Sequence, residues 1–294
     1  MKKLFVFFCC ISFVFCEINV LFTPNKKTYD EFINLLQSAK KSIYISTFSI
    51  SSDFLNFLKN KNIDLKIICE YGNLPDFKIK KIESKNLFHA KFIIVDENIV
   101  IITSANLTKS NFYKNHNNLV IINDKNIAKY FLKKFDSYWN NYRYTETFKN
   151  RNIEIWFSPE NDCEDLILRE LKNSKSSINF ATYTFSNKKI ADYLVEKRKE
   201  KIKILGILES YNIYHSVFPY LTSFGCEVRK SCMAGLLHDK FFIIDGKKVI
   251  TGSFNPTKQA KENFELVCLI ENKKIAEIFY NEWEKLYLFK SIKN

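Results

Sequence analysis

Residues 89–108 read HAKFIIVDENIVIITSANLT, and residues 238–257 read HDKFFIIDGKKVITGSFNPT. Each stretch opens on His-x-Lys, reaches an Asp at the end of an apolar run, and closes on Ser-x-Asn. His89, Lys91, Asp96, Ser104 and Asn106 are therefore matched in order by His238, Lys240, Asp245, Ser253 and Asn255. The apolar runs predict strands over 91–95 and 99–103, and over 240–244 and 248–251, with Asp245-Gly246 as the turn of the second pair. Side chains in a strand alternate faces, so a His and a Lys two residues apart point the same way. The returning strand brings the Ser and the Asn back toward them. An imidazole, an ammonium, a hydroxyl and an amide in one place suit a group with anionic oxygens around a reactive centre.

Working outward, the repetition extends well beyond these blocks. Phe22-Thr23-Pro24 returns as Phe157-Ser158-Pro159, and residues 42–48 return as 177–183, both at an offset of 135. The His blocks lie 149 apart, so the second half carries an insertion, placed mostly between Tyr211 and Phe224. Thr28-x-x-Glu31 reads as a capping box, with Phe32, Leu35, Leu36 and Ala39 following at helical spacing. Further strands are expected at 42–48, 65–69 and 119–122, with helices near 53–59 and 126–139. The second half repeats this with strands at 177–183, 202–208 and 266–270, and helices at 162–173, 188–200 and 273–288. Strands alternating with helices predict an α/β fold of two duplicated domains, 17–150 and 151–294, each a mixed β-sheet flanked by helices.

Two His-x-Lys-x4-Asp blocks followed by Ser and Asn, with the matching FTP and FSP entries, make the sequence resemble the phospholipase D superfamily. That resemblance covers nearly all of the chain after residue 16. It implies a pseudo-twofold pairing of the halves, with both histidines at one site inside a single chain, so that a monomer suffices. It also implies phosphodiester hydrolysis through a phosphohistidine, with no metal and no cofactor. One histidine attacks phosphorus, and the other protonates the leaving oxygen and then activates water. Lys91, Lys240, Asn106 and Asn255 are expected to hold the non-bridging oxygens. Ser104 and Ser253 add hydrogen bonds to substrate or shape the turn, and Asp96 and Asp245 are supporting.

The family also carries a downstream Glu that orients an imidazole. Glu265 fills that place in the second half, and Asn117 stands there in the first. A carboxylate raises imidazole basicity where an amide only orients the ring. Pairing within each half would thus make His238 the better nucleophile, whereas family habit favours the first motif's His89, and the assignment stays open. Thr103 replaces the Gly retained at Gly252. His116 and His215 are read as surface histidines.

Composition narrows the partner. Lys plus Arg exceed Asp plus Glu by 45 to 32, and 46% of residues are hydrophobic, which excludes a disordered chain. Lys78, Lys80, Lys81 and Lys85 precede His89, and Arg229 with Lys230 precede His238. Lys80 and Arg229 stand at equivalent places, as do Lys81 and Lys230, and together they are read as a basic rim that binds substrate. Nucleic acid is the favoured substrate, so the expectation is an endonuclease on DNA or RNA. A phospholipid headgroup or anionic membrane surface is the alternative, and a non-catalytic phosphate-binding module a minor one. Residues 1–16, MKKLFVFFCCISFVFC, have the charge and apolar run of a secretory signal peptide, predicting an exported protein, periplasmic or secreted, unless the segment stays as an anchor. Cys226 and Cys232 are a candidate disulfide.

Overall fold

A computed structural model describes residues 17–211 and 213–289; the signal-like segment lies outside the described residues. In the first half, strands β1 (Glu17–Thr23), β2 (Ser42–Ser49), β3 (Asp64–Tyr71), β4 (Ile79–Lys80), β5 (Phe92–Val95), β6 (Ile99–Thr103) and β7 (Asn117–Asn123) form one sheet. Its helices are α1 (Lys26–Ser38), α2 (Lys109–Tyr113) and α3 (Lys125–Asn140), with a 3-10 turn over Ser52–Leu58. The second half supplies β8 (Phe148–Lys149), β9 (Ile153–Ser158), β10 (Ser177–Thr182), β11 (Lys203–Leu208), β12 (Glu227–Lys230), β13 (Lys240–Ile244), β14 (Lys248–Gly252) and β15 (Glu265–Glu271). Its helices are α4 (Cys163–Asn173), α5 (Lys188–Lys199), α6 (Phe218–Ser223) and α7 (Lys273–Leu288).

The two sheets have the same order. It runs β1-β7-β6-β5-β2-β3-β4 in the first half and β9-β15-β14-β13-β10-β11-β12 in the second, with β8 added beside β9. The β2-β3-β4 and β10-β11-β12 edges are parallel and the rest antiparallel, so each sheet is mixed, as expected. Phe148 pairs with Ile155, which puts the second sheet's first residues just before position 150.

Local chemistry explains the strand ends. Asp96 and Glu97 turn the β5–β6 hairpin with φ of 51° and 55°, and Asp245-Gly246 turns β13–β14 with 54° and 60°. Both central residues at positive φ give the tight turn whose twist matches a hairpin. The Asp96 carboxylate then accepts the N–H groups of Lys40, Lys41 and Ser42, and Asp245 accepts those of Lys175, Ser176 and Ser177. The two aspartates thus lock hairpin to neighbouring strand, far along the strands from the histidines. Burial alone would raise their pKa values, but these backbone donors hold both below the ordinary carboxylate value.

The expected capping box does not form. Asn25 caps α1 by accepting from Lys27 N–H, while the Thr28 hydroxyl donates back to the Phe22 carbonyl. Helix α6 occupies the insertion expected at 211–224.

One continuous apolar core joins the halves, with α3 and α7 contributing from each side. Phe131 of α3 meets Phe157 of β9 at 5.5 Å, and Phe279 of α7 meets Phe22 of β1 at 5.3 Å. Each closing helix therefore packs on a strand of the opposite half, α3 on β9 and α7 on β1. Separate outer cores lie behind each sheet. Cys226 and Cys232 are not bonded to each other.

Candidate active site

The site forms where two short backbone bridges cross between the halves, Phe88 to Phe264 and His116 to Leu237. His89 N–H donates to the Phe264 carbonyl at 2.9 Å, and His238 N–H to the His116 carbonyl at 2.8 Å. Each catalytic-motif histidine is thus pinned beside the residue that precedes the other half's orienting side chain. The consequence is a crossed pairing. His89 Nδ1 lies 2.8 Å from Glu265 Oε1, and His238 Nδ1 lies 2.8 Å from Asn117 Oδ1. Pairing within each half, the basis for favouring His238 as nucleophile, is therefore wrong. The carboxylate serves His89.

Both lysines are held the same way. Lys91 Nζ donates to the His89 carbonyl at 3.0 Å and Lys240 Nζ to the His238 carbonyl at 2.6 Å. All four side chains are buried. Burial, then Lys91 and Lys240, lower His89 well below the usual imidazole value, and burial with the same two lysines does so for His238. Burial drives Lys91 far down and takes Lys240 to about 7, with Asp239 and Glu265 opposing. Glu265 is pushed up to about 8 by burial, against the pull of Lys91, Ser253 and Lys240. Burial disfavours the charged form of both lysines in this cleft, and an anionic diester beside them would favour it.

Asn106 and Asn255 each bury an amide oxygen without a partner. Rotating either amide by half a turn exchanges O for NH2, so each can present two donors to an anion. The hydroxyls of Ser104 and Ser253 are committed to partners within the protein. The Ser104 hydroxyl accepts Asn118 N–H and donates to Asn117, and Ser253 accepts Leu266 N–H and donates to Glu265. Of the two roles expected of these serines, the structure supports shaping the turn and orienting the partner of each histidine.

The basic rim needs the larger correction. Lys80 Nζ reaches the Trp139 carbonyl and Asn141 Oδ1 at the end of α3, and Arg229 donates to the Tyr287 carbonyl near the end of α7 while its guanidinium lies 4.1 Å from the Tyr287 ring centre. These matched cations sit at helix C-termini, where carbonyls and the helix dipole attract positive charge. Lys81 is exposed with its ammonium on the Glu70 carbonyl, and Lys230 donates to the Tyr214 hydroxyl.

His215 is exposed as expected, whereas His116 is half-buried, and burial lowers its pKa. At position 103, Thr replaces Gly without damage. Its hydroxyl bridges Asn118 O and Ala105 N–H. Gly252 has φ of 148°, and a Cβ there would meet the Leu266 carbonyl oxygen at 2.1 Å, so only the second copy needs glycine.

Sequence reading missed two carboxylates. Glu70 accepts Phe88 N–H at 2.9 Å and Glu209 accepts Leu237 N–H at 2.6 Å, each fixing the peptide just before a histidine. The available signal was an acid near the C-terminal end of an apolar strand in both halves, ICEY and ILES. It also missed Asn118, which bridges the halves by donating to Asp239 and accepting from Thr251.

A family model described as "Cardiolipin synthase, PLD-like domain" matches residues 32–139 and 167–287, one block in each half. The chain belongs to the phospholipase D superfamily. It is a hydrolase and phosphodiesterase of that superfamily, with its domain present twice. "Phospholipase D" of Rickettsia prowazekii is 32% identical over 146 residues, 49% of this chain and 71% of that one. "Mitochondrial cardiolipin hydrolase" of Mus musculus is 30% identical over 124 residues, 41% of this chain and 56% of that one. The solved structure of phosphatidylserine synthase from Haemophilus influenzae aligns with a TM-score of 0.67 at 12% identity, over 91% of this chain and 86% of its own. That last likeness shows that the paired two-domain fold is shared across almost the whole chain.

Proposed function

We propose that the protein is an exported nuclease that hydrolyses single-stranded DNA or RNA through a phosphohistidine on His89. One observation carries the substrate class. Phe48 lies against His89 with ring centres 5.0 Å apart, and Tyr183, at the equivalent position, lies against His238 at 4.8 Å. Both rings are half-buried, and exposed Tyr71 packs on Phe48. A planar aromatic thus stands on each side of the phosphate position. Bases splayed from a single strand stack on such rings whatever their identity, for about 1–3 kcal/mol each. Duplex DNA would have to unstack first.

The chemistry follows from the crossed pairing. Neutral His89 donates an Nδ1–H hydrogen bond to Glu265, leaving the Nε2 lone pair to attack phosphorus; Glu265 in its ionised form, which Lys91, Ser253 and Lys240 favour against burial, stabilises the positive charge that develops. His238 has the Asn117 amide where His89 has a carboxylate, so its imidazolium is less stabilised and gives its proton to the leaving oxygen as that P–O bond breaks. Binding of the anionic diester offsets Lys91 and Lys240, allowing His238 to take up that proton beforehand. The neutral His238 then removes a proton from water, whose oxygen attacks phosphorus and expels His89. Lys91, Lys240, Asn106 and Asn255 hold the non-bridging oxygens throughout.

The names of the relatives favour a second reading, hydrolysis of a phospholipid headgroup. Purified protein assayed in parallel on single-stranded DNA, duplex DNA, RNA, and phosphatidylcholine and cardiolipin vesicles separates the two. Faster cleavage of single strands than duplex is expected, and lipid turnover without nucleic-acid cleavage would overturn the proposal. Export rests on Lys2 and Lys3 before the apolar run to Cys16. Cell fractionation tests it, and a wholly cytoplasmic product refutes it.

A further inference from the structure

The halves differ most beside His238. Between β3 and β4 the first half has only residues 72–78, without a helix, whereas residues 209–226 between β11 and β12 carry a 3-10 turn over Ile213–His215 and helix α6. This insertion walls a cavity of about 310 Å3 that reaches Tyr183, the ring lying on His238. Tyr211 lines it with 70% of its surface exposed. Thr184, Ser186 and His215 place polar groups around it, all three exposed.

The cavity is tied to the chemistry through Glu209. That buried carboxylate accepts from Ser210 Oγ and Tyr211 N–H on the insertion side, and from Ser231 Oγ and Leu237 N–H on the side of His238. Four donors occupy its oxygens, so it fixes the loop against the histidine strand and is not free to bind a ligand cation. What remains open to a ligand is an aromatic, hydroxyl- and imidazole-bearing space without a spare negative charge.

We infer that this cavity is a subsite for the base of the leaving nucleoside, so that the enzyme reads the nucleotide on one side of the cut and not on the other. The inference rests on the nuclease function proposed above. Attack by His89 places the leaving oxygen opposite, toward His238, and the group attached to that oxygen toward the cavity. A planar heterocycle entering there finds the Tyr183 and Tyr211 rings for stacking and edge groups to hydrogen-bond. The other side offers Phe48 and Tyr71 for stacking but lacks the insertion that walls the cavity.

Steady-state kinetics on the sixteen dinucleoside monophosphates test this, because each contains one diester and one leaving nucleoside. Variation in kcat/KM is expected to follow the leaving base, with the retained base nearly without effect. Tyr211→Ala should raise KM about tenfold and flatten the leaving-base preference, while Tyr211→Phe keeps the ring and the preference. Equal preference on both sides, or a preference unchanged in Tyr211→Ala, overturns the subsite and leaves the nuclease function standing. Wild-type protein that cleaves no dinucleotide or longer strand overturns the nuclease function and the subsite together. Release of choline from phosphatidylcholine vesicles by that protein would establish the lipid reading in place of both.

Discussion

Replacing Glu265 by Gln isolates the charge in the crossed pair. The amide can still accept the His89 Nδ1 proton, so ring orientation is kept while the negative charge 2.8 Å from the imidazole is removed. A hydrogen bond to a charged group contributes about 1.5–3 kcal/mol against 0.5–1.5 for a neutral one, so about 1–2 kcal/mol of transition-state stabilisation should go. At 1.36 kcal/mol per decade this slows phosphoryl transfer to histidine roughly 5- to 30-fold. Single-turnover quench experiments with a 5′-labelled oligonucleotide measure that step directly, and peptide mapping of the trapped adduct locates it. The adduct should sit on His89 in wild type and form more slowly in Glu265→Gln. Asn117→Ala should instead mainly impair leaving-group departure, with a weaker effect for substrates whose leaving group needs no proton, such as a p-nitrophenyl ester. An adduct on the His238 peptide, or unaltered adduct formation in Glu265→Gln, would refute the assignment.

Three further outcomes are expected. Lys240 is needed as an ammonium and its value lies at about 7, so kcat/KM should fall as pH rises through that point; Lys240→Arg, charged throughout the range, should abolish that limb, and a wild-type profile flat to pH 9 would contradict the electrostatics described. Phe157→Ala should cost about 3–5 kcal/mol, because Phe157 is buried where α3 meets β9; calorimetry should still show one transition, and two separate ones would mean that the halves do not share a core. Arg229→Ala should lower the melting temperature through the end of α7 while leaving the salt dependence of single-strand binding unchanged; a slope reduced by about one would restore Arg229 to the substrate rim.

The repeated block was legible because two strands and a tight turn leave a local imprint. The residues of β5–β6 and β13–β14, and helix α7 at 273–288, fall within a residue or two of where periodicity puts them. Strands β1 and β9 were not read as strands, although the FTP and FSP entries they end on were noticed. Their burial is set by helices from the opposite half, which no window of sequence contains. The same limit hid the partner of each histidine. Sequence showed one Glu and one Asn, and the number of histidines to serve, but nearness along the chain favoured the wrong match. Only the bridges at Phe88–Phe264 and His116–Leu237 decide it. Likewise Lys80 and Arg229 were correctly seen as equivalent, yet a shared spacing can serve a helix end as well as a substrate.

The crossed bridges mean that duplication has left this protein no spare copy. A change at Asn117 removes the partner of a histidine 121 residues away in the other half, and a change at Glu265 that of one 176 residues back. Two identical subunits would show every substitution at both places at once. Joined in one chain, the copies can diverge independently, one keeping a carboxylate and the other an amide, and the site gains a direction that exact symmetry forbids.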